Sequence, residues 1–283
     1  MNRQKVLRVF LTIAGLFLLL VIGFLSARYL IPTPQIAVIR IEGDIWGSYT
    51  ATVRQAIHDA AGDPSVRAVV LEISSPGGEV TASEDLYFEV LRLRESKPVV
   101  AAVNEMAASG AYYIAAAAEE IYAKPGSMVG NIGVISILPD PDFVDEMLFT
   151  TGPFKLSGGS QVEAIRQMEV LKETFLACIL AQREDRLKVG PEILSRGEVY
   201  LGLQAEQIGL IDQVGAKGDA IEAAARLARL RNWTVVDRTP ELPEEEEILF
   251  EFKRQQGTTA ATLAAAPRQF PPGFYFRYVE PVQ

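Results

Sequence analysis

The sequence predicts an α/β protein in which helices cover a parallel β-sheet. Segments such as "RAVVLEIS" (67–74) and "PVVAAVN" (98–104) are continuously apolar, as is typical of strands that are buried on both faces. Segments of helical periodicity, such as "EVTASEDLYFEVLRLRES" (79–96), separate these strands. Strands that alternate with helices in this way indicate a parallel sheet.

The elements follow in a regular order through the first half of the chain. "IAVIRIEGDI" predicts the first strand, and "TATVRQAIHDAAGD" predicts a helix that Gly62 and Pro64 close. After the strand 67–74 and the helix 79–96 come the strand 98–104, a helix over 109–120 and a short strand over 121–124.

The second half is less regular. An irregular stretch runs from Pro139 through "TTGPFKLSGGS" (150–160), and a long helix is predicted over 162–187. "EVYLGLQAEQIGLIDQVG" predicts a turn with a short helix, "GDAIEAAARLARL" a further helix and "WTVVD" a strand. The tail from Pro240 is acidic and then low in complexity, which predicts a linker or an extended arm, and the sequence does not indicate where "FYFRYVEP" docks.

The N-terminus carries an uncharged apolar run, "VFLTIAGLFLLLVIGFLSA" (9–27). As a helix it would span roughly 28 Å, close to the hydrocarbon thickness of a bilayer. A cleaved signal peptide is the competing interpretation, but it needs a shorter run and an A-x-A-like site. Arg3, Lys5 and Arg8 precede the run, which predicts a cytoplasmic N-terminus and an extracytoplasmic body. The predicted organisation is an N-terminus and transmembrane anchor over 1–30, a main folded domain over 31–239 and a tail over 240–283.

Composition excludes some functions. The formal net charge of -9 and the pI near 4.9 argue against a nucleic-acid partner, which would need clustered basic residues. Cys178 is the single cysteine, so no intrachain disulfide is possible. It lies at helical spacing from Leu171 and Phe175, which indicates a packed thiol rather than a reactive one.

Two glycine-bearing turns are expected at the carboxyl ends of neighbouring strands, "SSPGGEV" (74–80) and "MAASGA" (106–111). Ligands of open α/β sheets bind at this edge. Ser109, at the start of the predicted helix, is therefore either a nucleophile or a helix cap. The amides of Gly77, Gly78 and Gly110 are candidates for an oxyanion hole beside it.

A nucleophilic serine also needs a base. The single histidine, His58, is expected to face water on an early helix, which disfavours a Ser-His-Asp triad. A lysine kept neutral by burial is the alternative. Lys155 stands among small and apolar residues with no acidic neighbour, and Lys124, which follows a strand, remains open on position alone.

These segments resemble peptidase family S49, the signal peptide peptidase A group, within the ClpP and crotonase structural class. The resemblance covers about residues 36–220 and includes "SSPGGEV", "MAASGAYYIAAAAEEIYAKPGSMVGNIGV" and "GPFK". It implies a ClpP/crotonase-like fold, with Ser109 as nucleophile, Lys155 as general base, and Gly77, Gly78 and Gly110 at the oxyanion hole.

The resemblance is to the short form with a single module. It implies a homo-oligomeric ring in which Lys155 of one subunit serves Ser109 of its neighbour. The implied substrates are apolar peptides such as signal-peptide remnants, and no metal or organic cofactor is required. This chain departs from the family pattern at Asn131, where a serine is common, and after Lys155, where a proline and a basic residue are common.

Two other functions are compatible with the same fold class. A crotonase-type acyl-CoA enzyme would use the oxyanion hole for a thioester enolate, without needing Ser109 or Lys155. A non-catalytic scaffold would bind peptides or membrane proteins in an inactive groove. Labelling of Ser109 by a serine-directed reagent discriminates both from the peptidase.

Overall fold

A computed structural model describes most of the chain and contains the predicted mixture of helices and a mainly parallel sheet. The described residues are 3–30, 33–137, 151, 154–155, 158–241 and 273–277. Most of the predicted irregular stretch after Pro139 and most of the predicted tail lie outside these residues.

The strands confirm the predicted order and add five that the sequence did not predict. They are β1 (Gln35–Ile45), β2 (Val66–Glu79), β3 (Val99–Ala108), β4 (Glu120–Ala123), β5 (Met128–Gly130), β6 (Ile135–Ile137), β7 (Val199–Leu201), β8 (Gln213–Val214), β9 (Thr234–Asp237) and β10 (Gly273–Arg277). The added strands are β5, β6, β7, β8 and β10, and β10 lies in the predicted tail.

All ten of these strands belong to one sheet. Its centre is parallel: β2 pairs with β1 on one side and with β3 on the other, and β3 also pairs with β4. Antiparallel pairs lie at the carboxyl end of this centre, where β5 meets β7 and where β10 lies between β2 and β6. The sheet is therefore parallel where the core is thickest and mixed at the edge where ligands are expected.

The helices of the body pack on the two faces of this sheet. They are α2 (Gly47–Gly62), α3 (Val80–Arg94), α4 (Gly110–Ala116), α5 (Gln161–Arg183), α6 (Pro191–Leu194), α7 (Gly202–Ile208) and α8 (Lys217–Leu227). Helix α4 ends earlier than predicted. Helix α5 begins one residue before its predicted start and ends four residues before its predicted end, and the Ser160 hydroxyl caps it by accepting a hydrogen bond from the Glu163 amide at 3.2 Å.

Strand β1 shows why the sheet is buried on both faces. Its residues alternate, so Ala37 and Ile39 enter the core shared with α2, α3, α4 and α5, while Ile36 and Val38 enter a second core with α8. The four side chains are at most 3% exposed. The continuous apolar runs thus have a physical reason, because neither face of these strands meets water.

Helix α1 (Arg3–Leu30) covers the apolar N-terminal run. Its large apolar side chains from Phe10 to Ile22 are exposed. Counting only the residues that the structure describes, no helix is both long and apolar enough to cross a membrane. The predicted membrane anchor is not confirmed.

Candidate active site

Ser109 occupies the single residue between the end of β3 and the start of α4. Its backbone has φ 52° and ψ -120°, in a region that residues with a side chain rarely adopt. Such a conformation costs about 1–3 kcal/mol and persists only where the surroundings impose it. Here the Ser109 amide donates to the Gly130 carbonyl at 2.7 Å, and the Ser109 carbonyl accepts from the Tyr113 amide at 2.9 Å.

The Ser109 hydroxyl is buried and unpaired. The residue is 1% exposed, and Oγ has no hydrogen-bond partner among the described residues. It also does not cap helix α4, although it stands at the N-cap position. The prediction that the Ser109 side chain caps the helix is therefore wrong. With this left-handed backbone the hydroxyl accepts no hydrogen bond from the first amides of α4.

A second strained turn supports the first. Gly130, which supplies the acceptor for the Ser109 amide, has φ 107°, and Asn131 has φ 56°. The Asn131 amide group Nδ2 donates to the Gly197 carbonyl at 2.7 Å, and its backbone N–H donates to the Glu198 carbonyl at 2.8 Å. Asn131 therefore anchors the loop that holds Ser109. Sequence reasoning singled out Asn131 only as a departure from the family, but asparagine after glycine is itself a signal of a left-handed turn.

The segment around Gly77 and Gly78 is a strand rather than the predicted turn, since β2 continues through it to Glu79. A Cβ on Gly78 would lie 2.1 Å from the Ile45 carbonyl oxygen, so only glycine fits beside β1. Gly77 has φ 98°, and its amide donates to Ser75 Oγ at 3.1 Å. In this arrangement the Gly77 amide has a partner within its own strand.

Gly77 and Ser109 both lie just beyond the last pair that β2 and β3 share. That pair is Ser75 of β2 with Ala107 of β3, two residues before Gly77 and two before Ser109. Gly110 follows Ser109 directly as the first residue of α4 and is buried. The three glycines predicted for an oxyanion hole thus lie at the same edge of the sheet as the serine.

None of the candidate bases forms a hydrogen bond with the Ser109 hydroxyl among the described residues of the single chain. Lys155 lies in a turn and is exposed, and the Ser109 hydroxyl has no bond to it. His58 is exposed on α2, as expected. Lys124 is exposed, and its Nζ donates to the side-chain oxygen of Asn104. No described base completes the site within one chain.

Helix α4 is fixed behind the serine by aromatic packing. The Tyr113 ring stacks on Tyr87 at a centroid distance of 4.5 Å and meets Phe175 edge-on at 4.9 Å. The Tyr113 hydroxyl donates to Cys178 Sγ at 3.1 Å, and burial raises the pKa of Tyr113 above its ordinary range. Cys178 is half-buried and serves this packing, in agreement with the predicted packed thiol.

Within the described part of the chain, no group of three or more His, Cys, Asp or Glu side chains could hold a metal ion. The chemical feature that remains is a buried serine on a strained strand-to-helix turn. Turns of this shape expose the nucleophilic serine in α/β hydrolases. The fold and the turn therefore define an α/β protein with a mainly parallel sheet and a buried serine on a strained strand-to-helix turn.

Comparison with known proteins identifies the family. Residues 92–152 match the profile of peptidase family S49, and the chain belongs to this family. It is 33% identical to Protease 4 of Salmonella typhi over 207 residues, which are 68% of this chain and 32% of that protein. It is 31% identical to Protease 4 of Haemophilus influenzae over 235 residues, 74% of this chain and 37% of that protein.

A plant protein is also similar. The chain is 29% identical over 178 residues to "Serine protease SPPA, chloroplastic" of Arabidopsis thaliana, which covers 58% of this chain and 26% of that protein. This chain thus spans between about a quarter and two fifths of the length of these three relatives. The matched profile contains the Ser109 turn but ends before Lys155.

Proposed function

We propose that this protein is a serine peptidase in which Ser109 attacks the carbonyl carbon of a peptide bond. The observation that carries the proposal is the Ser109 hydroxyl, which is buried without a hydrogen bond on a left-handed turn between β3 and α4. A protein retains such strain and such an unpaired group mainly where function requires them. Membership of family S49 and the names of the relatives support the same activity.

The reaction follows from the groups at this edge of the sheet. A neutral lysine takes the proton from Ser109 Oγ while Oγ bonds to the substrate carbonyl carbon, which gives a tetrahedral oxyanion. The protonated lysine then returns its proton to the leaving amine as the C–N bond breaks. Water, activated by the same lysine, attacks the acyl-serine ester, and Oγ regains its proton.

The proposed base is Lys155 of a neighbouring copy. In one chain Lys155 is exposed in a turn and the Ser109 hydroxyl is unpaired, and docking of a second subunit would bring a lysine and a serine together. An interface would also bury the lysine, and burial favours the neutral form that a general base needs. A homo-oligomer with the dyad across subunits satisfies both requirements.

The proposed oxyanion donors are the amides of Gly110, Gly77 and Gly78. Gly110 follows the nucleophile, which is the usual place for one donor. The Gly77 amide now donates to Ser75 Oγ, and this weak neutral bond would be exchanged for a stronger one to the developing negative charge. Removing one such donor costs about 100-fold to 1000-fold in rate.

We also propose that α1 anchors the domain to a membrane, with the catalytic body outside the cytoplasm and apolar peptides such as signal-peptide remnants as substrates. The support is the uncharged run 9–27 behind three basic residues, which forms part of one continuous helix. Resistance of the full chain to alkaline extraction from membranes tests the anchor. Whether protease added outside intact cells can cleave the catalytic body tests on which side of the membrane that body lies.

Labelling tests the nucleophile. A fluorophosphonate should modify Ser109 in the intact oligomer, and Ser109→Ala should abolish both the adduct and the cleavage of an unstructured apolar peptide. Ser127→Ala is the matched control, because Ser127 is another buried serine, 3% exposed, whose hydroxyl is bonded to the Asn104 carbonyl at 2.8 Å. Absence of an adduct at Ser109 would favour a non-catalytic peptide-binding scaffold.

Mixing tests the dyad across subunits. Lys155→Ala should lower kcat by at least about 100-fold, whereas Lys172→Ala should not, because Lys172 forms a local pair with Glu169 on α5. Ser109→Ala and Lys155→Ala chains are each inactive alone, but a co-assembled mixture should recover activity at the sites that combine an intact serine with an intact lysine. No recovery in mixed oligomers would place the base elsewhere.

A further inference from the structure

The backbone of Ser109 rests on the turn that follows β5. This turn has a positive φ at two successive residues, 107° at Gly130 and 56° at Asn131. The Gly130 carbonyl accepts the Ser109 amide at 2.7 Å, and Gly130 is also the strand partner of Ala108. The position of Gly130 therefore sets the position of the serine backbone, and any group that holds Gly130 also holds Ser109.

Asn131 ties this turn to the segment that leads into β7. Its side-chain Nδ2 donates to the Gly197 carbonyl at 2.7 Å, and its backbone N–H donates to the Glu198 carbonyl at 2.8 Å. The next residue of that segment, Val199, is the strand partner of Gly130. Two hydrogen bonds and one strand pair thus join the turn after β5 to the start of β7.

The segment before β7 is held by the core in its turn. The Gly197 amide donates to the Leu194 carbonyl at 3.4 Å, and Leu194, at the end of α6, is 1% exposed in the core shared with α4 and α5. A Cβ on Gly130 would lie 3.1 Å from the Glu198 carbonyl oxygen, so the two segments are in close contact. The Gly197 carbonyl is therefore a fixed acceptor for the Asn131 side chain.

Asparagine suits position 131 for two separate reasons. It adopts a left-handed backbone more readily than most residues with a side chain. Its amide also supplies an N–H donor, which an ionised aspartate of nearly the same size does not. The donor is bonded to Gly197, and the Ser109 hydroxyl has no bond to it. Asn131 therefore acts on the serine through Gly130 and not by contact with the reacting atoms.

We propose that Asn131 is a positioning residue for the nucleophile. Its amide, bonded to the Gly197 carbonyl, holds Gly130 in place and through it the strained backbone of Ser109. The part of this inference that concerns the reaction rests on the proposed peptidase function. Without the bond, the Ser109 backbone relaxes from φ 52° toward an ordinary conformation, which moves Oγ from the position of attack. A displacement of about 1 Å costs about 100-fold in rate.

Two variants of the full chain remove the donor in different ways. Asn131→Asp retains the size of the side chain and its tolerance of a left-handed backbone, and Asn131→Gly retains the backbone conformation alone. Each should lower both kcat and the rate of fluorophosphonate labelling of Ser109 by about 10-fold to 100-fold. KM for an unstructured apolar peptide should stay unchanged, because peptide binding does not use this bond.

Asn104→Asp is the matched control for the kinetics. Asn104 is another asparagine at this edge of the sheet, on β3, and its side-chain oxygen accepts from the exposed Lys124. The substitution should leave kcat and the labelling rate unchanged. All rates are measured well below the Tm of each variant, so that a loss of folded protein does not contribute to them.

Hydrogen exchange tests the same role without catalysis. The Ser109 amide is protected by its bond to Gly130, and both Asn131 variants should raise its exchange rate by about twofold to tenfold, the equivalent of one hydrogen bond. The Val69 amide is the internal reference, because it donates to the Pro98 carbonyl at 2.9 Å in the centre of the sheet. Its exchange rate should not change.

Two outcomes would overturn the inference. The first is a labelling rate and an exchange rate at Ser109 that are the same in both Asn131 variants and in the unaltered chain. The second is an equal rise in exchange at Ser109 and Val69, since Asn131 would then serve only the overall stability. Failure of the peptidase proposal has a different signature, namely no labelling of Ser109 in any chain while its exchange still rises in the two variants.

Discussion

Replacing Ser109 should make the protein more stable and inactive at the same time. The Oγ atom is buried with no hydrogen-bond partner among the described residues, and an unsatisfied buried group of this kind costs about 1–3 kcal/mol. Ser109→Ala removes the hydroxyl and retains the backbone strain, so the free energy of unfolding should rise by about 1 kcal/mol.

Ser109→Gly should be more stable still. At φ 52° the strain is about 1–3 kcal/mol, and glycine relieves it at a cost of about 0.5–1 kcal/mol in chain entropy. The expected total gain is about 2 kcal/mol. For a protein of this size each kcal/mol corresponds to roughly 2–4 °C in Tm, which thermal unfolding followed by circular dichroism resolves.

Ser127→Ala should change the free energy of unfolding in the opposite direction. Ser127 is buried at the same edge of the sheet, but its hydroxyl is bonded to backbone carbonyls, so its removal should cost about 1 kcal/mol. If Ser109→Ala were destabilising to the same extent as Ser127→Ala, the Ser109 hydroxyl would have a partner in the folded protein. Ser109 would then not be an unpaired, strained residue, and its proposed role as nucleophile would lose its support.

Three further substitutions test the framework around the site. Gly78→Ala should destabilise the fold by about 3 kcal/mol, because the added Cβ would meet the backbone of β1. Gly218→Ala is the control and should be neutral or stabilising, because a Cβ there would meet no atom within 4 Å. Urea unfolding measures both changes. Asp212→Ala should lower the free energy of unfolding by about 3–5 kcal/mol, which equilibrium unfolding measures. The reason is that the buried Arg183 guanidinium, 0% exposed, would lose the Asp212 carboxylate that lies 3.1 Å away. Burial raises the pKa of the Glu119 carboxyl above 4.5, so above pH 4.5 the folded state holds this proton more tightly than the unfolded state does. The stability that Glu119 contributes therefore falls as the pH rises from 4.5 through the pKa of the folded state. Glu119→Gln should flatten this part of the pH profile of Tm, and an unchanged profile would contradict the expectation.

The central sheet could be predicted because its signal is local. Residues such as Val69, Val70 and Leu71 are apolar without interruption, and each of them is buried because helices cover both faces. The alternation with helical segments then predicts the parallel order without any knowledge of distant contacts. Ser109 was found in the same way, from a hydroxyl between small residues at a strand-to-helix junction.

What could not be predicted depends on distant partners. The sequence Pro76-Gly77-Gly78 is typical of a turn, yet it is a strand because β1 and β10 pair with it on opposite sides. The left-handed backbone of Ser109 is held by the carbonyl of Gly130, more than one element away along the chain. Lys155 stays a prediction, since its proposed partner belongs to another subunit.

The pairing of β10 with β2 also has a consequence for biosynthesis. Tyr275 and Glu79 are separated by almost the whole domain in sequence, and non-local pairs of this kind slow folding. During translation β1, β2 and β3 leave the ribosome long before residues 273–277 do. For that interval the edge at Gly77 and Gly78 is open on every nascent chain, and a newly made domain meets other extended polypeptides before it meets its own C-terminal strand.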